Sequence, residues 1–470
     1  MASPFPWLQN VEEALTRHER ALTLAIIGAV MVLQLNGILH HGFMGQDWGI
    51  HPGAAADAIR LPPFRWFVYV GTNPPALYWL SALVNWMTGT TAYIQATSFV
   101  LVALNLIALR VWSRIAPSII HNTSLRLAAL VTIAFLPVRV IHSTVFATDA
   151  LIVLPFAALI WVMCELVREP SPSRQLRLVV AASVALMLGI FSKYTMVSAL
   201  FVIVVLLVAW RKQVPGARAR VAALTFLVVV PGVFAAVQYH YYVKADPNGP
   251  GRQRWQHQMT WRSLLTLRSA DRDVLRAPLY DDKVAGDPVK LINNIEVTNL
   301  LIDNKHSYPA LLHLSTFTDV LNVYQYDPSD NYLGARDPLH QRLMTIAVRT
   351  SVPLSLLMVI ATFVYLARMA RQLVGFGSAP RPDDRAKAIV VAISAAAFAN
   401  ITLALPSVQH PYFFGYWLAR LVLPSLLGFC FLAFALLDEK LRSSGARLTV
   451  LAAAVAQAAL HASFLWPRGP

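Results

Sequence analysis

About eleven apolar stretches follow one another along this chain, each close to the roughly 20 residues needed to cross a hydrocarbon layer, and no other feature restricts its fold as much. They fall near residues 21–39, 91–110, 127–142, 149–166, 177–192, 194–210, 220–242, 347–367, 388–405, 418–437 and 448–466. Inside a bilayer the backbone finds no water, so a stretch of this length satisfies its amide and carbonyl groups by forming a helix. Composition points the same way. The chain is 57% hydrophobic and 13% charged, where soluble domains carry about a quarter charged residues. The expected fold is an all-α polytopic membrane protein.

Charge gives the expected orientation. A formal net charge of +15 would point to nucleic acid in a soluble protein. Here Lys and Arg sort by loop, as the positive-inside rule requires. With a cytoplasmic N-terminus, the inner loops hold Arg17, Arg20, Arg110, Arg114, Arg126, Arg168, Arg211, Lys212, Arg368, Arg371, Lys440 and Arg442 among others. The short outer loops keep Arg60, Arg65, Arg139, Lys193 and the terminal Arg468. Reading 74–88 as a further span would invert every later loop and erase the bias. That short Pro-Pro segment is therefore expected to be an interfacial helix of the first outer loop. Nucleic acid is not an expected partner.

The same reading divides the chain into three parts. Residues 1–242 form an N-terminal transmembrane module whose first outer loop, 40–90, is expected to be catalytic. Residues 243–346 form a large polar loop on the outer side. A structureless loop of that length is unusual, so a partly helical subdomain is expected there. Residues 347–470 form a C-terminal transmembrane module. Leu22 to Leu39 reads as a first span rather than a cleaved leader. Cys164 and Cys430 fall in apolar stretches and read as packing residues.

Ionisable residues at a membrane edge are costly and therefore informative. Under the charge-derived topology, Asp47, Asp149, Lys193, His410 and Arg420 all reach the outer side. Carboxylates beside a Lys and an Arg suit a nucleophile that must lose a proton and a phosphate that must leave with its charge. Each residue also has a plainer reading. Asp149 could cap its helix, Lys193 could extend to the interface, Arg420 could anchor the outer leaflet, and His410 could bond within a loop. A transporter or flippase of a lipid-linked or amphipathic substrate is the rival function, but transporters place their charges near the midplane.

At these residues the sequence resembles the polytopic glycosyltransferases of the C superfamily, the group that contains the protein O-mannosyltransferases and the bacterial aminoarabinose transferase of lipid A. The resemblance is carried by Asp47 after the first span and by Asn73-Pro74-Pro75-Ala76-Leu77-Tyr78-Trp79-Leu80. It continues through Thr148-Asp149-Ala150-Leu151, Ser192-Lys193-Tyr194-Thr195 and Arg420-Leu421-Val422-Leu423-Pro424. The ordered combination spans residues 20 to 437. It implies a sugar donor of the polyprenyl-phosphate class and a glycolipid, polysaccharide or protein acceptor that arrives from the outer side. It also implies catalytic roles for Asp47 and Asp149, and contacts from Lys193 and Arg420 to the lipid phosphate. Asn73, Tyr194, His410 and Tyr308 are further candidates for substrate binding. The chain departs from many relatives in two places. Gln46 and Trp48 flank Asp47 where a second carboxylate is common, and Asn73 stands where His or Lys is common. A divalent metal is therefore not expected, and no cofactor is expected beyond the donor lipid. The expected location is a bacterial inner membrane, with the site facing the periplasm.

Overall fold

In the computed structural model the described residues are 6–41, 51–60, 74–168, 171–209, 232, 308–318, 338–374, 382–408 and 419–466. Among them there are helices and no strands. Eight helices are long and apolar enough to cross a membrane, or nine if one bent pair counts as a single span. The chain is an all-α polytopic membrane protein. The expected span near 220–242 lies outside the described residues.

The chain begins with α1 (Pro6–His41), which at 36 residues extends well beyond a bilayer core. Then come α2 (His51–Arg60), α3 (Ala76–Thr88), α4 (Tyr93–Ile115), α5 (Thr123–Ala134), α6 (Pro137–Thr144), α7 (Thr148–Leu151), α8 (Val153–Leu166), α9 (Pro172–Ser192) and α10 (Val197–Ala209). Within the expected outer loop lies α11 (Tyr308–Phe317), followed by α12 (Pro338–Leu373), α13 (Pro382–Val408), α14 (Leu423–Lys440) and α15 (Ser444–Leu465). Because α12 starts at Pro338, one helix runs through residue 346, where the sequence suggested a domain boundary.

One end of the bundle is fastened by ion pairs. Arg126 of α5 meets both carboxylate oxygens of Glu19 on α1, each at 2.7 Å. Arg168, just past α8, meets Asp383 of α13 at 2.7 Å. Glu439 of α14 takes Lys387 of α13 at 2.6 Å and Arg368 of α12 at 2.7 Å. Asp438 accepts from the backbone N–H of His121 at 2.6 Å and of Asn122 at 3.2 Å. Partly exposed pairs of this kind add modest stability. Their larger consequence is topological. The start of α1, the end of α8, the start of α13 and the end of α14 share one side. The end of α1 and the starts of α8 and α14 therefore face the opposite side.

Lipid-facing surfaces reverse the usual pattern of exposure. On α12, Leu356, Val359, Ile360 and Phe363 are exposed at positions i, i+3, i+4 and i+7, while Ala361 is fully buried. In water that stripe would seek a core; in a bilayer it meets acyl chains. Inside the bundle, small residues allow close approach. A methyl group on Gly428 of α14 would collide with Ser394 Oγ on α13. Trp112 of α4 stacks on Phe431 of α14 at 4.8 Å between ring centroids.

Two expectations need correction. The stretch 127–142 is not one straight span: α5 and α6 meet at a 49° bend. Pro137 opens α6 and cannot donate to the preceding turn, so the helix restarts in a new direction. Arg139 does not belong to a short outer loop. It lies on α6 with no exposed surface, and donates to Ala134 O at 2.7 Å and Asn105 O at 3.5 Å. It satisfies a carbonyl left open where α5 ends. In the stretch 194–210, α10 begins at Val197, after a 3-10 turn, Tyr194–Met196, and is described as far as Ala209.

Candidate functional site

Asp149 sits in the first turn of α7, after Ala147 has brought the chain in with extended geometry. Its carboxylate does not cap the helix. It is buried and turns toward two cations from distant parts of the chain. Lys193 Nζ donates to Oδ1, and Arg420 Nη1 lies 3.6 Å from Oδ2. The three side chains are 4%, 13% and 7% exposed. Lys193 and Arg420 thus point inward, so neither the interfacial Lys nor the leaflet-anchoring Arg describes them. His142, buried on α6, lies within electrostatic reach of the same carboxylate.

Each charge is held by local structure. Lys193 follows the last turn of α9, where its N–H donates to Gly189 O at 2.7 Å and its own backbone is extended. The chain reverses at once through Tyr194–Met196. The reversal brings Met196 so close that a Cβ on Gly189 would meet its Cε at 2.8 Å. Asn400 Nδ2 of α13 ties this hairpin down at Thr195 O, 3.3 Å away. Beside Asp149, Asn105 of α4 donates to Ala150 O at 2.9 Å and pins α7. Arg420 lies in the 3-10 turn Ala419–Val422, which runs directly into α14.

The interfacial pair α2 and α3 closes over this end. Leu77 and Tyr78 of α3 and Ala55 and Ala58 of α2 form a small core with Leu101, Phe146, Ala150 and Leu151. His51 Nδ1 and Tyr78 Oη are 3.0 Å apart. Trp79 meets Phe191 edge-on at 5.1 Å, two residues before Lys193. At 13 residues, α3 is too short to cross a bilayer.

Among the described residues, one carboxylate lies between two enclosed cations. Removing three charges from water is expensive, and mutual attraction offsets only part of that cost. Charged groups enclosed in this way within a membrane bundle are costly, and so they mark a candidate site. Arg and Lys side chains can both bond to a phosphate oxygen.

Of the residues expected from the sequence, the structure brings Asp149, Lys193 and Arg420 together. Asp47, Asn73 and His410 lie outside the described residues. Tyr194 opens the turn after Lys193 and Tyr308 opens α11, and only their backbones are described. Sequence reasoning missed His142 as a neighbour of the site. It also missed Ser315 of α11, which accepts from the Ala419 N–H at 2.9 Å. The interruption at Pro137 could have signalled a polar helix there. No sequence signal marks the Ser315 contact.

Fold and site together describe a polytopic helical membrane protein that encloses a carboxylate and two cations where α7, α9 and α14 meet. Comparison with solved structures then finds particular likenesses. The oligosaccharyltransferase AglB from Archaeoglobus fulgidus, solved with an inhibitory peptide and a dolichol-phosphate, aligns with 96% of this chain at 12% identity and a TM-score of 0.49. This chain covers 56% of that one, so it spans a little over half the length of AglB. ArnT from Cupriavidus metallidurans, bound to undecaprenyl phosphate, aligns with 89% of this chain and 77% of its own length, at 17% identity and a TM-score of 0.40. No family profile matches the chain, and no curated protein matches it by sequence. The likenesses to AglB and ArnT are distant, and the chemistry of this chain rests on its own residues.

Proposed function

We propose that this chain is a glycosyltransferase that moves a monosaccharide from a polyprenyl-phosphate donor to an acceptor on the outer side of the membrane. The observation that carries the proposal is the buried set of Asp149, Lys193 and Arg420, with two cations on one carboxylate. A lipid phosphate is a membrane-borne anion that such a set would attract. The donor's tail lies among the helices, and its phosphate meets Lys193 and Arg420. Asp149 keeps both cations oriented until the phosphate arrives, then shares them with it.

The transfer is a single displacement. An acceptor hydroxyl attacks the anomeric carbon while the bond from that carbon to the phosphate oxygen breaks. The electron pair leaves with the phosphate, where the two cations stabilise it. The hydroxyl proton passes to a carboxylate, for which Asp47 is the candidate. The products are an inverted glycoside and free polyprenyl phosphate. The long segment 243–346, with its mixed aromatic and polar residues, recognises the acceptor. The site faces the periplasm of a bacterial inner membrane, the side that the charge bias assigns to it.

The test is transfer of radiolabelled sugar from a polyprenyl-phosphate donor by the purified full-length protein in lipid. Labelled acceptor with inverted configuration is the expected result. Movement of intact donor between leaflets without transfer would show a flippase instead. Retained configuration would rule out the single displacement.

A further inference from the structure

The turn that carries Arg420 is capped by a residue about a hundred positions away. A helical turn begins with backbone N–H groups that have no partner inside it. In Ala419–Val422 the first of these, the Ala419 N–H, donates to Ser315 Oγ at 2.9 Å in a buried contact. Ser315 lies on α11, the described helix of the long polar segment. A second residue of α11 fastens it to the bundle. The two ring nitrogens of His313 lie 2.8 Å from Ser355 Oγ and 3.1 Å from Val348 O, both on α12. Phe317, at the end of α11, is buried beside His461 of α15, with ring centroids 6.2 Å apart. A helix held at two other points therefore presents one hydroxyl to the backbone immediately before Arg420.

We propose that Ser315 is a positioning residue. Its hydroxyl fixes the Ala419–Val422 turn so that the Arg420 guanidinium meets the Asp149 carboxylate and, in turn, the donor phosphate. This rests on the function proposed above, and it makes α11 a structural part of the phosphate end of the site. A hydroxyl at 315 is the chemical requirement, since what the turn lacks is an acceptor for one N–H.

The experiment uses the full-length protein in lipid nanodiscs, with two measurements on each variant. The first is hydrogen exchange at the amides of residues 419–422. The second is the affinity for undecaprenyl phosphate. Ser315→Ala is expected to speed exchange in the turn and to weaken binding about fivefold, the factor that one hydrogen bond of ordinary strength supplies. Ser315→Thr keeps the hydroxyl and is expected to retain both properties. With Arg420→Ala already present, Ser315→Ala is expected to weaken binding no further, because the two act through one contact.

Unchanged exchange in Ser315→Ala would overturn the proposal. So would an equal loss of affinity in the Arg420→Ala background, which would mean that Ser315 acts by another route. If the turn loosens as expected but the wild-type protein binds no lipid phosphate, the capping role stands and the glycosyltransferase reading fails. Size-exclusion profiles separate any variant that misfolds, and for these the Ser315→Thr comparison still decides between hydroxyl and bulk.

Discussion

The Arg420 guanidinium stands 3.6 Å from the Asp149 carboxylate, joining the start of α14 to the start of α7 inside the bundle. Lys193 reaches the same carboxylate from the end of α9. Removing this anion takes from Lys193 and Arg420 the carboxylate that lies between them. Asp149→Asn is therefore expected to destabilise the protein by about 3–5 kcal/mol, the usual cost of breaking a buried pair. Undecaprenyl phosphate supplies a replacement anion, so it should raise the melting temperature of Asp149→Asn more than that of the wild type. Thermal unfolding with and without the lipid measures both effects, and equal shifts would count against a phosphate site at this cluster.

Lys193 and Arg420 are expected to act on the departing phosphate. Arg420→Ala should lower the transfer rate by about two to three orders of magnitude, as removal of one stabilising group typically does. Arg420→Lys should recover only part of it, since a Lys offers a point charge in place of a planar fork. Steady-state transfer with a radiolabelled donor measures this. A variant with normal rate would remove Arg420 from the mechanism.

Helix packing near the middle of the bundle gives a prediction independent of chemistry. Gly428→Ala would press a methyl group against Ser394 Oγ. The clash is expected to cost about 1–3 kcal/mol. Adding Ser394→Gly clears the space and should restore most of the melting temperature. If the single variant melts like the wild type, α13 and α14 do not pack as closely as described.

His313 gives a pH dependence. Burial holds its pKa below the ordinary 6.5, against a weaker opposite pull from the Val348 carbonyl. The neutral ring is the form that fits, with Nε2–H donating to Val348 O and Nδ1 accepting from Ser355. In the unfolded chain the ring takes up a proton near 6.5, so the unfolded state binds more protons below that value. The stability that His313 contributes is complete above pH 6.5 and is lost as pH falls from there through the lower folded value. The melting temperature of the wild type should therefore drop faster than that of His313→Gln between pH 7 and pH 5. Parallel curves would show that this ring does not titrate with folding.

The sequence made the helices legible because a bilayer enforces length and apolarity together. It also brought Asp149, Lys193 and Arg420 to one side, because the basic loops fix the parity of every crossing. It did not reveal that α5 and α6 bend apart, since an average over 127–142 hides one Pro among apolar neighbours. For the same reason Arg139 read as a loop cation, though its stem and head are enclosed and bonded to carbonyls. The Ser315 contact was beyond the sequence for a different reason. A serine capping a distant turn leaves no periodicity, and only the folded bundle brings α11 to residue 419.

The three charges are also separated in the order of synthesis. Asp149 and Lys193 emerge early and can neutralise each other as soon as α9 is inserted. Arg420 emerges much later, with the last two helices. A nascent chain halted before α14 would carry the Asp149–Lys193 pair without its third member. The cluster is thus completed at the close of assembly, when nearly the whole bundle is already in the membrane.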